Sequence, residues 1–263
     1  MPDAYPRTAS VTPRLRSVVS TGSTNADAVA TARVDPVGWP HLSVLLTTDQ
    51  RSGRGRLDRT WSAPAGSALA VSVLVRVPQV PPASRGWVPL VAGAAMTRAV
   101  AAQLHGQGHS VGLKWPNDVL VDGGKICGIL AEVVPGEPDA IVIGSGINTR
   151  MRASDLPVPT ATSFAALGSA ADEDRLVADY LIALDEQLAA LARGAAGASG
   201  VRGEVEALCT TLGTEVRVLL PDGSVLEGHT QRLDDEGRLV VVSGATETAV
   251  SAGDVVHVRP PLR

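Results

Sequence analysis

Residues 51–61 read RSGRGRLDRTW, which places Arg51, Arg54, Arg56 and Arg59 within nine positions, with Gly53 and Gly55 between them and Trp61 closing the run. Guanidinium groups make bidentate contacts to phosphate or carboxylate. Glycine lets backbone N–H groups approach a ligand closely, and an indole offers a flat face to a ring or base. The segment fits a nucleic-acid arm, a phosphate clamp or a solvated loop. It matches neither G-x-x-x-x-G-K-[ST] nor G-x-G-x-x-G, two common phosphate-binding patterns.

A second cluster narrows the choice. The chain holds 21 arginines but two lysines, Lys114 and Lys125. Arginine's planar fork does not replace a compact ammonium, so the pair points to a site that requires ammonium groups. Lys114 opens KWPND, and Lys125 follows Asp-Gly-Gly. Pro116 stops a helix and biases Trp115 to an extended conformation, which leaves Asn117 and Asp118 at a fixed bend. An acid there suits a divalent cation or a hydroxyl; a self-capping Asn-Asp turn is the alternative. Two ammoniums near one carboxylate suit an anionic ligand better than a bare turn. GSTN (22–25) and GSGIN (144–148) are further polar segments beside apolar runs, the usual setting of a small-molecule site.

The elements that must position these groups follow from pattern. LRSVVS (15–20) reads as a strand, and Ser23, Thr24 or Asn25 as the cap of a helix through Arg33. HLSVLLTTDQ (41–50) and SALAVSVLVRV (67–77) read as strands, and 89–104 as a helix. Residues 111–134 read as strand, tight turn, strand, with Asp-Gly-Gly at 122–124 as the turn. AIVIGSGIN (140–148) is a buried strand, 173–193 the longest amphipathic helix, and 201–211 a short one. From Thr214 short strands alternate with turn residues, which predicts a small barrel and a boundary near 212.

Composition sets outer bounds. A chain of 263 residues, 44% hydrophobic and 19% charged, buries a real core. The net charge of −4 argues against a general polyanion binder. Two cysteines, Cys127 and Cys209, are no disulfide framework. No leader pattern or eighteen-residue apolar run occurs, which predicts a soluble cytoplasmic protein and no membrane partner.

Taken in order, TGSTN, Q-x-x-GRGR-x-x-x-x-W, KWPND-x(6)-K-x-x-G and GSGIN resemble the biotin protein ligases, the biotin–carboxylase-carrier ligases. The resemblance covers nearly the whole chain. It implies an α+β fold: a mixed β-sheet with flanking helices, like class II aminoacyl-tRNA synthetases, over 1–211, and a C-terminal SH3-like barrel over 212–263. It implies that biotin and ATP form biotinyl-5′-adenylate with Mg²⁺, and that biotin passes to a lysine of a biotin carboxyl carrier protein or domain of an acetyl- or acyl-CoA carboxylase.

By position, the resemblance implies that Ser23, Thr24 and Asn25 contact biotin. It implies that Gln50 and the Gly53, Arg54, Gly55, Arg56 loop close over biotin and the adenylate, and that Trp61 stacks on adenine. Asn117 and Asp118 fall near the phosphate and metal, with Asp118 a Mg²⁺ ligand, base or orienter. Lys125 meets the biotin carboxyl and the acyl-phosphate, and with Arg56 and Asp118 forms the expected catalytic set. Gly128 and Leu130 lie on the biotin-facing strand, and Gly144 and Asn148 fall near biotin and the adenosine. Leu57 and Asp58 stand where the family often has a glycine and a basic pair, and Cys127 where a small residue is common. About 20 residues precede STN, too few for the winged helix that binds an operator in some members, so no operator DNA is expected. Lipoate–protein ligase is the closest rival. A nucleic-acid module built on the arginine run leaves both lysines and GSGIN unexplained.

Overall fold

The computed structural model describes residues 4–56, 59–194 and 200–257. Leu57 and Asp58 therefore lie outside the described residues. In chain order the elements begin with α1 (Pro6–Val11), β1 (Leu15–Ser17), α2 (Thr24–Val34), β2 (Ser43–Thr47), β3 (Gly53–Arg54) and β4 (Thr60–Trp61). They continue through β5 (Ala68–Arg76), α3 (Val88–Gln103), β6 (Val111–Lys114), β7 (Asp118–Val121), β8 (Gly124–Val134) and β9 (Glu137–Asn148). Helices α4 (Glu173–Ala192) and α5 (Val201–Leu208) precede β10 (Glu215–Leu219), β11 (Val225–Leu233), β12 (Leu239–Ser243), β13 (Thr246–Val250) and β14 (Asp254–His257).

Seven strands form one sheet in the order β1-β2-β5-β9-β8-β7-β6. Only the β1–β2 pair is parallel, so the sheet is mixed. Side chains alternate between its faces with a period of two. One face carries Leu69, Val71 and Val73 of β5, Cys127 and Ile129 of β8, and Ile141, Ile143 and Ile147 of β9 into the main core, against α3 and α4. The opposite face carries Leu74, Val134, Ala140 and Val142, covered by Ala28 and Ala32 of α2. Farther along that face the cover ends, and β9 continues with Gly144 and Gly146 in place of Ala140 and Val142.

Residues 111–134 hold three strands where pattern predicts two. KWPND is itself a hairpin loop: Asn117 N donates to Lys114 O at 3.1 Å, and Lys114 pairs with Asp118 across β6 and β7. The bend expected at Asn117 and Asp118 is thus a full chain reversal, and the four-residue run after it is a strand of its own. The expected turn at Asp122 and Gly123 is present, both at positive φ (49° and 80°), the geometry of a type I′ hairpin. The last short helix stops at Leu208, three residues earlier than its composition predicts.

The C-terminal strands make a five-stranded antiparallel sheet in the order β13-β12-β11-β10-β14. It is pinned to the larger sheet by buried indoles. Trp115 Nε1 donates to Gly237 O at 3.2 Å and Trp87 Nε1 to Asp235 O at 3.0 Å. Burying an indole N–H without an acceptor costs free energy, so these bonds set where the small sheet docks. Among the described residues no helix is long and apolar enough to cross a membrane.

Candidate active site

The bare strand face becomes the floor of a cavity. Gly128 of β8 pairs with Gly146 of β9, and Leu130 with Gly144. A Cβ on Gly144 would lie 2.2 Å from Asn25 Oδ1, and one on Gly146 would lie 2.7 Å from Trp61 Cε2. These glycines are required by close approach, since each lets one side chain from elsewhere in the chain lie against the strand.

Asn25 is held from three sides. Ser72 Oγ donates to its Oδ1 at 2.6 Å, and its Nδ2 donates to Glu132 Oε2 at 2.8 Å and Leu130 O at 3.3 Å. Those partners settle which way the amide points. Ser23 caps α2, accepting from Ala26 N at 3.3 Å. Thr24 donates to Gln50 Oε1 from its backbone N at 2.7 Å and its hydroxyl at 2.9 Å. Gln50 thereby ties the start of α2 to the arginine segment.

That segment is a short hairpin. Gly53 pairs with Trp61 and Arg54 with Thr60. Arg54 forms an ion pair with Glu132 at 3.0 Å, and Arg56 Nη1 donates to Asn117 Oδ1 at 3.1 Å. Arg59 pairs with Asp254 of the small sheet. Burial pulls the Arg56 guanidinium below its ordinary pKa, opposed by Asp254 and Asp118. Desolvation of a cation has this sign.

Lys125 Nζ lies 2.6 Å from Asp118 Oδ1. A Cβ on Gly128 would stand 3.1 Å from Lys125 Cε and Nζ, so the glycine leaves room for that side chain to cross the strand. Lys125 is 42% exposed, so the pair is screened by water and serves to position the groups more than to stabilise the fold. Lys114 sits nearby with its pKa lowered, first by burial and then by Lys125, with Asp118 acting the other way.

These groups line one cavity of about 770 Å³. Fourteen of the site residues that the resemblance implies border it: Ser23, Thr24, Asn25, Gln50, Arg54, Gly55, Arg56, Trp61, Asn117, Asp118, Lys125, Gly128, Leu130 and Gly144; Lys114 borders it too. Gly53 does not. A Cβ there would meet Gln50 Nε2 at 2.4 Å and Trp61 O at 2.5 Å, so it packs beneath the hairpin. Asn148 also lies off the cavity, and its Nδ2 donates to Thr162 O at 2.9 Å. Thr162 N in turn donates to Lys125 O at 2.8 Å, which puts Asn148 behind Lys125.

Sequence reading missed four contributors. Ser72 and Glu132 hold Asn25, and their only trace was a polar residue on an otherwise apolar strand face. Gly146 admits Trp61. The small sheet supplies a wall that includes Arg217, Leu219, Val225 and Asp254, for which no linear signal existed.

Comparison with known proteins agrees with this geometry. Residues 20–148 match the biotin/lipoate A/B protein ligase family, and residues 211–258 match the biotin protein ligase C-terminal domain. The chain is 40% identical over 250 residues to the biotin–[acetyl-CoA-carboxylase] ligase of Mycobacterium tuberculosis, covering 94% of this chain and 90% of that one. It is 27% identical over 208 residues to the bifunctional ligase/repressor BirA of Bacillus spizizenii, covering 77% of this chain and 62% of that protein. Its fold resembles a biotin protein ligase from Aquifex aeolicus solved in complex with biotin and ATP, at a TM-score of 0.73 and 23% identity, covering 94% of this chain and 100% of that one. The chain belongs to the biotin protein ligase family.

Proposed function

We propose that this chain activates biotin with ATP to biotinyl-5′-adenylate and transfers the biotinyl group to a lysine of a carboxylase carrier protein. The observation that carries the reading is the single cavity that brings Asn25, Trp61, Arg56 and the Lys125–Asp118 pair together over a glycine floor. The carrier is a subunit or domain of an acetyl- or acyl-CoA carboxylase; the mycobacterial relative is named for acetyl-CoA carboxylase. On this reading residues 1–211 form the catalytic unit, with a class II synthetase-like sheet, and 212–263 an SH3-like unit. The chain works in the cytoplasm, where ATP and the carrier are found.

In the first step a carboxylate oxygen of biotin attacks the α-phosphorus of ATP, and pyrophosphate leaves. Two anions must approach, so charge neutralisation and positioning dominate the barrier. Lys125 and Arg56 supply fixed positive charge. Asn25 and the floor of Gly128, Leu130 and Gly144 orient biotin, Ser23, Thr24 and Gln50 hold the rim around it, and Trp61 offers its ring to adenine. Among the described residues no three His, Cys, Asp or Glu side chains converge on a metal site. Mg²⁺ is commonly held by one or two carboxylates and substrate phosphates. Asp118 fits that role, and the ion would neutralise phosphate charge. In the second step the carrier amine attacks the acyl carbon and AMP leaves. Until then the hairpin of β3 and β4 keeps water from the mixed anhydride.

ATP–pyrophosphate exchange tests the reading. Exchange dependent on biotin and not on lipoate is expected. Exchange driven by lipoate would move the chain to the other branch of the matched family.

A further inference from the structure

Lys125 and Gly128 are three positions apart on β8, yet both face the cavity, and a Cβ on Gly128 would stand 3.1 Å from Lys125 Nζ. In a regular strand side chains alternate, so residues three apart point to opposite faces. The register between β7 and β8 breaks the alternation. Val119 pairs with Cys127 and Leu120 with Lys125, which leaves Ile126 as one extra residue in β8. Ile126 and its neighbour Cys127 both enter the main core. A bulge of this kind re-aims a side chain and leaves backbone groups without a ladder partner.

On its other side β8 pairs with β9, but that ladder ends at Cys127 and Ile147, before Lys125. Residues 160–162 take the place beside it. Lys125 N donates to Thr160 O and Thr162 N donates to Lys125 O, each at 2.8 Å. Asn148 Nδ2 donates to Thr162 O at 2.9 Å, and Phe164 N donates to Asn148 O at 3.3 Å. Phe164 is buried in the main core and anchors the segment. A Cβ on Gly124 would lie 2.9 Å from Thr162 Cβ and 3.1 Å from its Cγ2, so a glycine is what lets the segment close on Lys125. Residues 160–162 do not line the cavity. A lysine's flexible four-carbon stem delivers its charge only as well as its root is placed. We infer that this segment aims Lys125, with Thr162 and Asn148 as positioning residues for adenylate formation that act through the Lys125 backbone; this rests on the ligase reading above.

Gly124→Ala puts a methyl where Thr162 packs and should push the segment off Lys125. Single-turnover formation of adenylate from bound biotin and ATP should fall on the order of 10²-fold, the penalty of a misplaced group, with both affinities little changed. Adding Thr162→Gly removes the atoms that the methyl meets and should recover most of the rate. The loss should also vanish in a Lys125→Ala background, because residues that act as one unit are not additive. Equal losses in the two backgrounds overturn the inference, since the methyl then disturbs something other than Lys125. A parent-like rate for Gly124→Ala overturns it too. Should Gly124→Ala fail to fold, Asn148→Ala removes the bond to Thr162 O and takes the same comparison against Lys125→Ala. An Asn148→Ala effect confined to ATP affinity would make Asn148 a nucleotide contact and end its positioning role. Absence of biotin-dependent adenylate in the parent chain defeats the ligase reading itself.

Discussion

The indole of Trp61 rests on Gly146, and a Cβ at that glycine would fall 2.7 Å from Cε2 and 3.1 Å from Nε1. Gly146→Ala must therefore push the ring off the strand. A base–aromatic stack is worth ~1–3 kcal/mol, so ATP affinity should drop roughly tenfold while biotin affinity changes less. Calorimetric titration of each ligand checks this, and unchanged ATP binding would detach Trp61 from the nucleotide.

Lys125 meets Asp118 at 2.6 Å across Gly128. Lys125→Arg keeps the charge but brings a planar fork into a space shaped for an ammonium. Biotin-dependent pyrophosphate exchange should fall roughly 10²–10³-fold, the cost of losing one preorganised donor. Near-parent exchange would remove Lys125 from the reacting centre.

Arg56 links the β3–β4 hairpin to Asn117. Arg56→Gly removes a hydrogen bond from a charged donor, worth ~1.5–3 kcal/mol. Adenylate should escape at least about tenfold faster, seen as biotin labelling of bystander proteins. Self-labelling should stay weak, since the chain has only Lys114 and Lys125 to modify. Equal retention by variant and parent would count against closure by Arg56.

Glu132 accepts from Asn25 and pairs with Arg54. Glu132→Ala leaves the Asn25 amide short of a partner, a loss of ~1–3 kcal/mol. KM for biotin should rise about tenfold with kcat little changed. Glu132→Gln keeps an acceptor and loses only an exposed ion pair worth ~0.2–1 kcal/mol, so it should stay within about threefold of the parent. If Gln proved as damaging as Ala, the charge rather than the hydrogen bond would be what matters.

Cys127 and Cys209 are buried thiols, and burial pushes both pKa values above the ordinary 9.0. The folded thiols stay protonated while the unfolded ones ionise. Linkage then makes stability fall as pH rises above about 9, by up to ~1.4 kcal/mol per pH unit for each thiol. Denaturant titrations at pH 8 and 10 should show the loss, and the Cys127→Ala, Cys209→Ala double variant should flatten it. In the native state neither thiol should react with an aromatic disulfide reagent.

Much of the fold was legible because period-two runs and turn chemistry are local. Asp122–Gly123 announced a hairpin, whereas the bare face made by Gly144 and Gly146 emerged only once β9 was placed between its neighbours in the sheet. KWPND was harder to read, because five residues carry both a chain reversal and functional side chains, and proline explained the break too easily. The partner of Asn148 was hidden for a related reason. It closes a motif whose first glycine lies on the cavity floor, yet its side chain turns away to hold Thr162 behind Lys125.

The sequence by itself determined which chemical groups are present and on which local elements they ride: the arginine hairpin, two lysines, the Asn25 cap region and the glycine floor. The tertiary structure alone decided their partners. Arg54 and Glu132 stand 78 positions apart, and Arg59 reaches Asp254 across 195. Such pairs are made by strand register and by the docking of the small sheet through Trp87 and Trp115. Both depend on burying apolar surface and satisfying buried N–H groups over the whole chain, which no short stretch of sequence encodes.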